Sequence, residues 1–207
     1  MEILQGGTKP KPTQSSELEL LIIWKSMTMQ IIISSLRDIE NRKSELRQSA
    51  VRTKEQLLAL ASSKDAISLL ADMKFEKVGC DPLESKRQLN LIEQLHQTFT
   101  YLASFLATKY LLKKYPSAKP FTLNLGTSSG LDIRSSKCGG IGAEVFAAVN
   151  PKNNDKLIKD CRKISSQIGI THKYVFFMCP GFKSGRQEFV HQFPDVSIVA
   201  VSEDIIN

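Results

Sequence analysis

Gly130-Leu-Asp132-Ile-Arg-Ser-Ser-Lys-Cys-Gly-Gly140-Ile-Gly-Ala-Glu144-Val-Phe146-Ala-Ala-Val149 is the stretch on which the reading of the whole chain turns. Its two ends are extended and apolar, and its middle is a turn of Ser, Lys and Gly. Two acids stand in it where acids are costly. Asp132 falls in a short strand beside a glycine-flanked turn, and Glu144 falls in a strand otherwise made of Gly, Ala, Val and Phe. A carboxylate in a buried strand has to be paired, protonated or bound to a cation. The eleven residues between the two acids are enough for a turn that lays the second strand beside the first and brings both acids to one site. Two converging carboxylates suit a hard cation such as Mg2+, or Mn2+ in its place, which takes one or two carboxylates, several waters and phosphate oxygens.

Outward from this stretch the pattern alternates between strands and helices. Upstream, Phe121 to Leu125 alternates as a strand does, and Gly126 to Gly130 is a turn. That turn lacks the Lys-Ser/Thr ending and following helix of a phosphate-cradling loop. Downstream, Asn150-Pro151 breaks the chain before a helix carrying Leu157, Ile158, Cys161, Ile164 and Ile168, with Asn153 and Asn154 as its caps. Tyr174 to Met178 is uncharged and β-rich, as a central strand buried on both faces would be. Ser184 to Phe193 reads as a short helix, and Val196 to Val201 as a last strand. Three successive strands predict a meander, and the crossover helix predicts that the following strand runs parallel to one of them. The expected class is α/β, bordering on α+β: a mixed sheet flanked by helices.

Before this core, Asp81-Pro82-Leu83-Glu84 has the form of a helix start, with Asp as cap, Pro at the first helical position and Glu placed for a capping box. The helix it predicts carries Leu89, Ile92, Leu95, Phe99, Leu102, Leu106 and Tyr110, and Pro116 stops it. Further upstream, from Glu17, ten positions at a 3.5-residue spacing between 18 and 50 hold eight apolar residues. They predict one long helix ending near Ser62, which has to bury its stripe in a helical hairpin or against a second copy of the chain. A shorter helix is expected from Lys64 to about Met73. The organisation expected is a flexible tail over 1–14, a helical arm or dimerisation region over 15–80, and an α/β core over 81–207.

Composition narrows the function classes. The chain of 207 residues is 42% hydrophobic and carries a net charge of +7, so an anionic partner such as nucleic acid is plausible. Cys80, Cys138, Cys161 and Cys179 show no metal-knuckle spacing and read as free thiols. The apolar run Leu20 to Leu36 is interrupted by Lys25, Thr28, Gln30 and several Ser, too polar for a membrane span. No basic region followed by an apolar run opens the chain. A cytoplasmic protein with no membrane partner is expected.

Gly130-Leu-Asp132-Ile, a loop, and then Ala-Glu144-Val-Phe resembles the core of the PD-(D/E)XK nucleases, the fold of restriction endonucleases and Holliday-junction resolvases. The resemblance covers about residues 85–180, and the element order agrees with it. It implies that Asp132 and Glu144 hold Mg2+, which polarises the scissile phosphate and activates a water. It also implies a glutamate from the preceding helix, for which Glu93 is placed, although an exposed helical Glu is an equal reading. Leu131 stands where the motif has proline. Phe146 stands where it has the lysine that orients the attacking water, a task Phe has no group to perform. Either that function has moved, with Lys156 on the crossover helix and Lys173 at the head of the next strand as candidates, or the site binds without cutting. Both lysines also read as surface charges.

The resemblance therefore implies a Mg2+-dependent endonuclease of restriction type acting on DNA, and the apolar stripe of the long helix adds the expectation of a homodimer through the N-terminal helices. Two other readings stay open: a nuclease fold that binds nucleic acid without cutting, and an interaction protein whose long helix does the work on an α/β scaffold.

Overall fold

Ile31, Ile32 and Ile33 produce the first departure from the expected long helix. β-branched residues are stiff in a helix and fit a pleated strand, and Thr28–Ile33 forms strand β1. The computed structural model describes residues 28–126, 130–151, 155–182, 185–187 and 192–203, so the expected tail over 1–14 and the opening of the expected helix lie outside the described residues. Ile31 and Ile33 enter the core, whereas Ile32, a member of the 3.5-residue stripe, is 68% exposed. Ser34 and Ser35 close the strand and open a helix. The Ser35 hydroxyl accepts from the Asp38 N–H, and the Asp38 carboxylate accepts from the N–H groups of Ser34 and Ser35. Helix α1 (Leu36–Ser63) starts at this reciprocal cap. Its stripe buries Ile39, Lys43, Leu46 and Ser49, and the Lys43 ammonium is neutralised by Glu203 and Glu40. Helix α2 (Ala66–Phe75) follows, capped by Asp65.

The helix expected from Asp81 begins later. Gly79–Cys80 (β2) and Gln88–Leu89 (β3) form a small antiparallel ladder, and the loop between them is organised by the Asp81 side chain. The Asp81 carboxylate accepts from the N–H groups of Leu83 and Glu84, as an N-cap would, but also from the Tyr101 hydroxyl and Arg87. The Asp81 N–H donates to the Arg87 carbonyl, so the segment closes on itself and does not propagate. Asn90 and Glu93 form a second capping box, and helix α3 (Leu91–Lys114) starts there with the apolar stripe behind it.

The remaining elements are β4 (Phe121–Gly126), β5 (Ile133–Ser135), β6 (Ile141–Ala147), α4 (Lys156–Ser165), β7 (His172–Met178), β8 (Gly185–Gln187) and β9 (Val196–Ala200). They build a seven-stranded mixed sheet in the order β1-β4-β5-β6-β7-β9-β8. β4, β5 and β6 are the antiparallel meander, β7 returns parallel to β6 after α4, and β9 is parallel to β7. The class is mixed α/β, as expected. The short helix expected over 184–193 is corrected over Gly185–Gln187, whose backbone pairs antiparallel with β9; most of the rest of that span lies outside the described residues.

Two apolar layers flank the sheet. α1 and α3 cover one face, with Tyr101, Phe105, Leu111, Leu123, Ile133, Val145 and Phe176 among the residues between them. α4 covers the other, against Phe146, Val175, Phe177 and Ile198. β1 and α1 belong to the first layer through Ile31, Ile33, Ile39 and Leu46, so the packing shows no break at the boundary expected near residue 80. No helix among the described residues is long and apolar enough to cross a membrane.

Gly140 fixes where β6 starts against β7. Its φ is +88°, a conformation that favours glycine, and a Cβ there would lie 2.4 Å from the Gly169 carbonyl oxygen. The Gly140 carbonyl accepts from the N–H groups of Thr171 and His172, which seats Ile141 opposite His172. Gly140→Ala is expected to cost about 2 kcal/mol or more of stability through backbone strain and the clash. Urea unfolding compared with wild type measures it.

Candidate functional site

The register of the meander places the two acids side by side. Ile133 pairs with Ala143, so one further step along the antiparallel strands brings Asp132 level with Glu144. The Val145 N–H donates to Asp132 Oδ2 at 2.7 Å, tying the first acid to the strand of the second. On the other side of Asp132, the Asn124 N–H donates to its carbonyl and the Asn124 side-chain amide donates to the Leu131 carbonyl at 2.6 Å. Ala143 and Val145 point into the α3 layer, so strand alternation turns Glu144 toward α4.

Helix α4 meets that face with an imperfect apolar stripe. Leu157, Asp160, Cys161 and Ile164 are its buried residues, at the i, i+3, i+4, i+7 spacing of a core-facing helix. Asp160 is the acid on this stripe, only 3% exposed. Its Oδ1 accepts from Lys156 Nζ at 2.7 Å, one turn back on the helix. Lys163 reaches across to the sheet: its ammonium lies 2.7 Å from Glu144 Oε2 and 2.8 Å from the Gly130 carbonyl. Asp132 and Glu144 from the sheet thus meet Asp160, Lys156 and Lys163 from α4.

Of the residues expected from sequence, the structure brings Asp132 and Glu144 together and places Lys156 beside them through Asp160. Two others are corrected. Lys173 sits on the same sheet face but toward the C-terminal end of α4, where its ammonium is held by the Ser165 carbonyl and, at 3.1 Å, by Asp195. Glu93 is an exposed capping residue of α3, and α3 covers the opposite face of the sheet. Phe146 has become core: it is 4% exposed and stacks on Phe177 with ring centroids 6.0 Å apart. Lys163 was not anticipated. The sequence does carry a signal for its helix, because Asp160 interrupts the α4 stripe, and a buried acid there demands basic neighbours.

Electrostatics mark the group as unusual. Burial holds the Asp132 carboxyl above its ordinary range, against the Val145 N–H and the Lys163 charge, which lower it. Burial pushes the Asp160 carboxyl up as well, opposed by Lys156. Burial and then the charge of Asp132 push Glu144 up to about 7, with Lys163 opposing. Three acids face two lysines here, so full ionisation leaves one negative charge uncompensated. Glu144 is 2% exposed, and its Oε1 has no hydrogen-bond partner among the described residues; neither has Oδ2 of Asp160.

Comparison with protein-family models, with curated proteins and with solved structures finds no match. The chemistry of the site therefore rests on the residues alone. Among the described residues no three His, Cys, Asp or Glu side chains gather at metal-ligating distance. Two carboxylates are nevertheless enough for Mg2+, which keeps most of its waters, and the unpartnered buried oxygen of Glu144 fits an oxygen-seeking cation.

The raised Glu144 carboxyl has a consequence for stability. Its folded value of about 7 lies above the ordinary 4.5, so the fold favours the protonated acid. The stabilisation is complete below the unfolded value and is lost as pH rises through 7. Without divalent ions, wild type is expected to lose on the order of 3 kcal/mol relative to Glu144→Gln between about pH 5 and pH 8. Parallel urea titrations of the two proteins test this, and parallel pH profiles would contradict it.

Proposed function

We propose that this protein is a Mg2+-dependent phosphodiesterase acting on nucleic acid, with Asp132 and Glu144 as its cation-binding carboxylates. The observation that carries the reading is the placement of these acids level with each other on adjacent strands, with Glu144 Oε1 buried and unpartnered among the described residues. The likeness to PD-(D/E)XK nucleases supports it through the acids on the second and third strands of a meander and the parallel strand after a crossover helix. Mn2+ is expected to substitute for Mg2+.

When bound, the cation supplies Lewis acidity to a phosphate oxygen and acidifies an attacking water. The chain's own contribution is to hold two carboxylate oxygens in a rigid, largely dry frame, fixed by the Val145 N–H on Asp132 and by the β5–β6 register. The exposed side of α4 adds Lys159 and Arg162, cationic side chains on the helix that faces the acids and suited to a phosphate backbone. DNA is the substrate proposed. A homodimer would present two such sites to two strands, and exposed Val51, Leu58, Ile67, Leu70 and Phe75 on α1 and α2 offer apolar surface for it.

A second reading is a nuclease fold that binds without cutting. Phe146 favours it, since its ring fills the core where the family's lysine would stand. Nicking of supercoiled plasmid in Mg2+ or Mn2+ separates the two. Wild type is expected to nick, with Asp132→Ala and Glu144→Ala each slower by about a hundredfold or more and chelation abolishing the reaction. Equal nicking by all three proteins would remove the assignment. Retained DNA binding without nicking would leave the binding module.

A further inference from the structure

Lys163 occupies an unusual position for a surface lysine. Its aliphatic stem comes from the exposed side of α4, yet its ammonium reaches a Glu144 carboxylate that is 2% exposed and the Gly130 carbonyl. An oxygen from a carboxylate and an oxygen from a backbone carbonyl are what a hard cation collects. One turn of the helix earlier, Asp160 is equally buried. Its Oδ1 holds Lys156, while its Oδ2 is buried with no hydrogen-bond partner among the described residues. Residues three apart on a helix are surface neighbours, and the Lys163 charge already acts on Asp160.

We propose that Lys163 is the resident cation of the Asp132–Glu144 site, and that a divalent ion binds by exchange, the Lys163 ammonium moving from Glu144 to the vacant Oδ2 of Asp160. The inference rests on the cation-binding role given to Asp132 and Glu144, and adds to it a competing internal charge and a second seat for that charge. It explains two facts together: the site buries more acid than base, and one oxygen on each of its two buried carboxylates, Glu144 and Asp160, has no hydrogen-bond partner among the described residues. The exchange keeps both buried carboxylates neutralised in either state. With the lysine on Glu144, Asp160 shares Lys156; with the divalent ion on Glu144, Asp160 takes both lysines. No covalent bond forms or breaks.

The test is direct Mn2+ binding, read from the loss of the free-ion electron paramagnetic resonance signal, on the full chain at neutral pH. Wild type, K163M, K163Q, K163R, D160N and the K163M/D160N double variant are compared, each checked for a wild-type-like thermal transition. K163M and K163Q, which have no ammonium to displace, are expected to bind Mn2+ about tenfold or more tightly than wild type. K163R keeps the resident charge and is expected to stay close to wild type. D160N is expected to weaken binding several-fold in the wild-type background and much less in K163M. Mn2+ bound equally or more weakly by K163M and K163Q than by wild type would overturn the exchange while leaving the cation site standing. An equal loss from D160N in both backgrounds would overturn the second seat. Failure of every protein to bind Mn2+ would overturn the cation site and the exchange together.

Discussion

Removing a carboxylate from water costs several kcal/mol unless something replaces the lost hydration, and Glu144 sits in the middle of a strand whose neighbours are all apolar. The surrounding structure is arranged around that cost. Burial and the neighbouring Asp132 both disfavour the ionised form, and Lys163 is the one group reaching its carboxylate among the described residues. A lone misplaced acid would not come with a second acid level with it, a third on the facing helix and two lysines interleaved. The cluster is organised, and the imbalance of three acids against two bases leaves it poised to take up a proton or a cation.

The rest of the fold delivers this cluster. Alternation along β6 sends Val145 into the α3 layer and Glu144 and Phe146 toward α4. Gly140 locks the start of β6 to β7, which fixes the height of Glu144 in the sheet, and the β5–β6 ladder then sets Asp132 beside it. Phe146, stacked on Phe177, anchors the same strand two residues further on. Phe146 thus contributes packing at that position, while positive charge near the acids comes from α4.

Much of this arrangement was legible in the chain. The meander, the crossover helix and the acid pair all follow from strand alternation, glycine turns and the cost of a buried charge. β1 was not legible in the same way, because Met29 and Ile32 satisfy a 3.5-residue spacing as well as Ile31 and Ile33 satisfy a two-residue one. Tertiary pairing with β4 decided between them. Asp81 misled for a related reason: a capping acid is also a good buried acceptor, and Tyr101 and Arg87 claimed it. Lys163 was hidden because its partners lie on the sheet, distant in sequence, whereas Lys156 and Lys173 were singled out by their places in the chain. Which lysine meets a carboxylate depends on how α4 is rotated over the sheet, and that is fixed by Leu157, Cys161 and Ile164 in the core.

The proposed role of the buried acids as a cation seat is tested most directly by anomalous scattering from crystals soaked in Mn2+. The expected result is a single strong peak within coordination distance of carboxylate oxygens from both Asp132 and Glu144, with the Lys163 ammonium no longer on Glu144. Crystals saturated with Mn2+ that show no peak there, with Lys163 still bonded to Glu144, would contradict it.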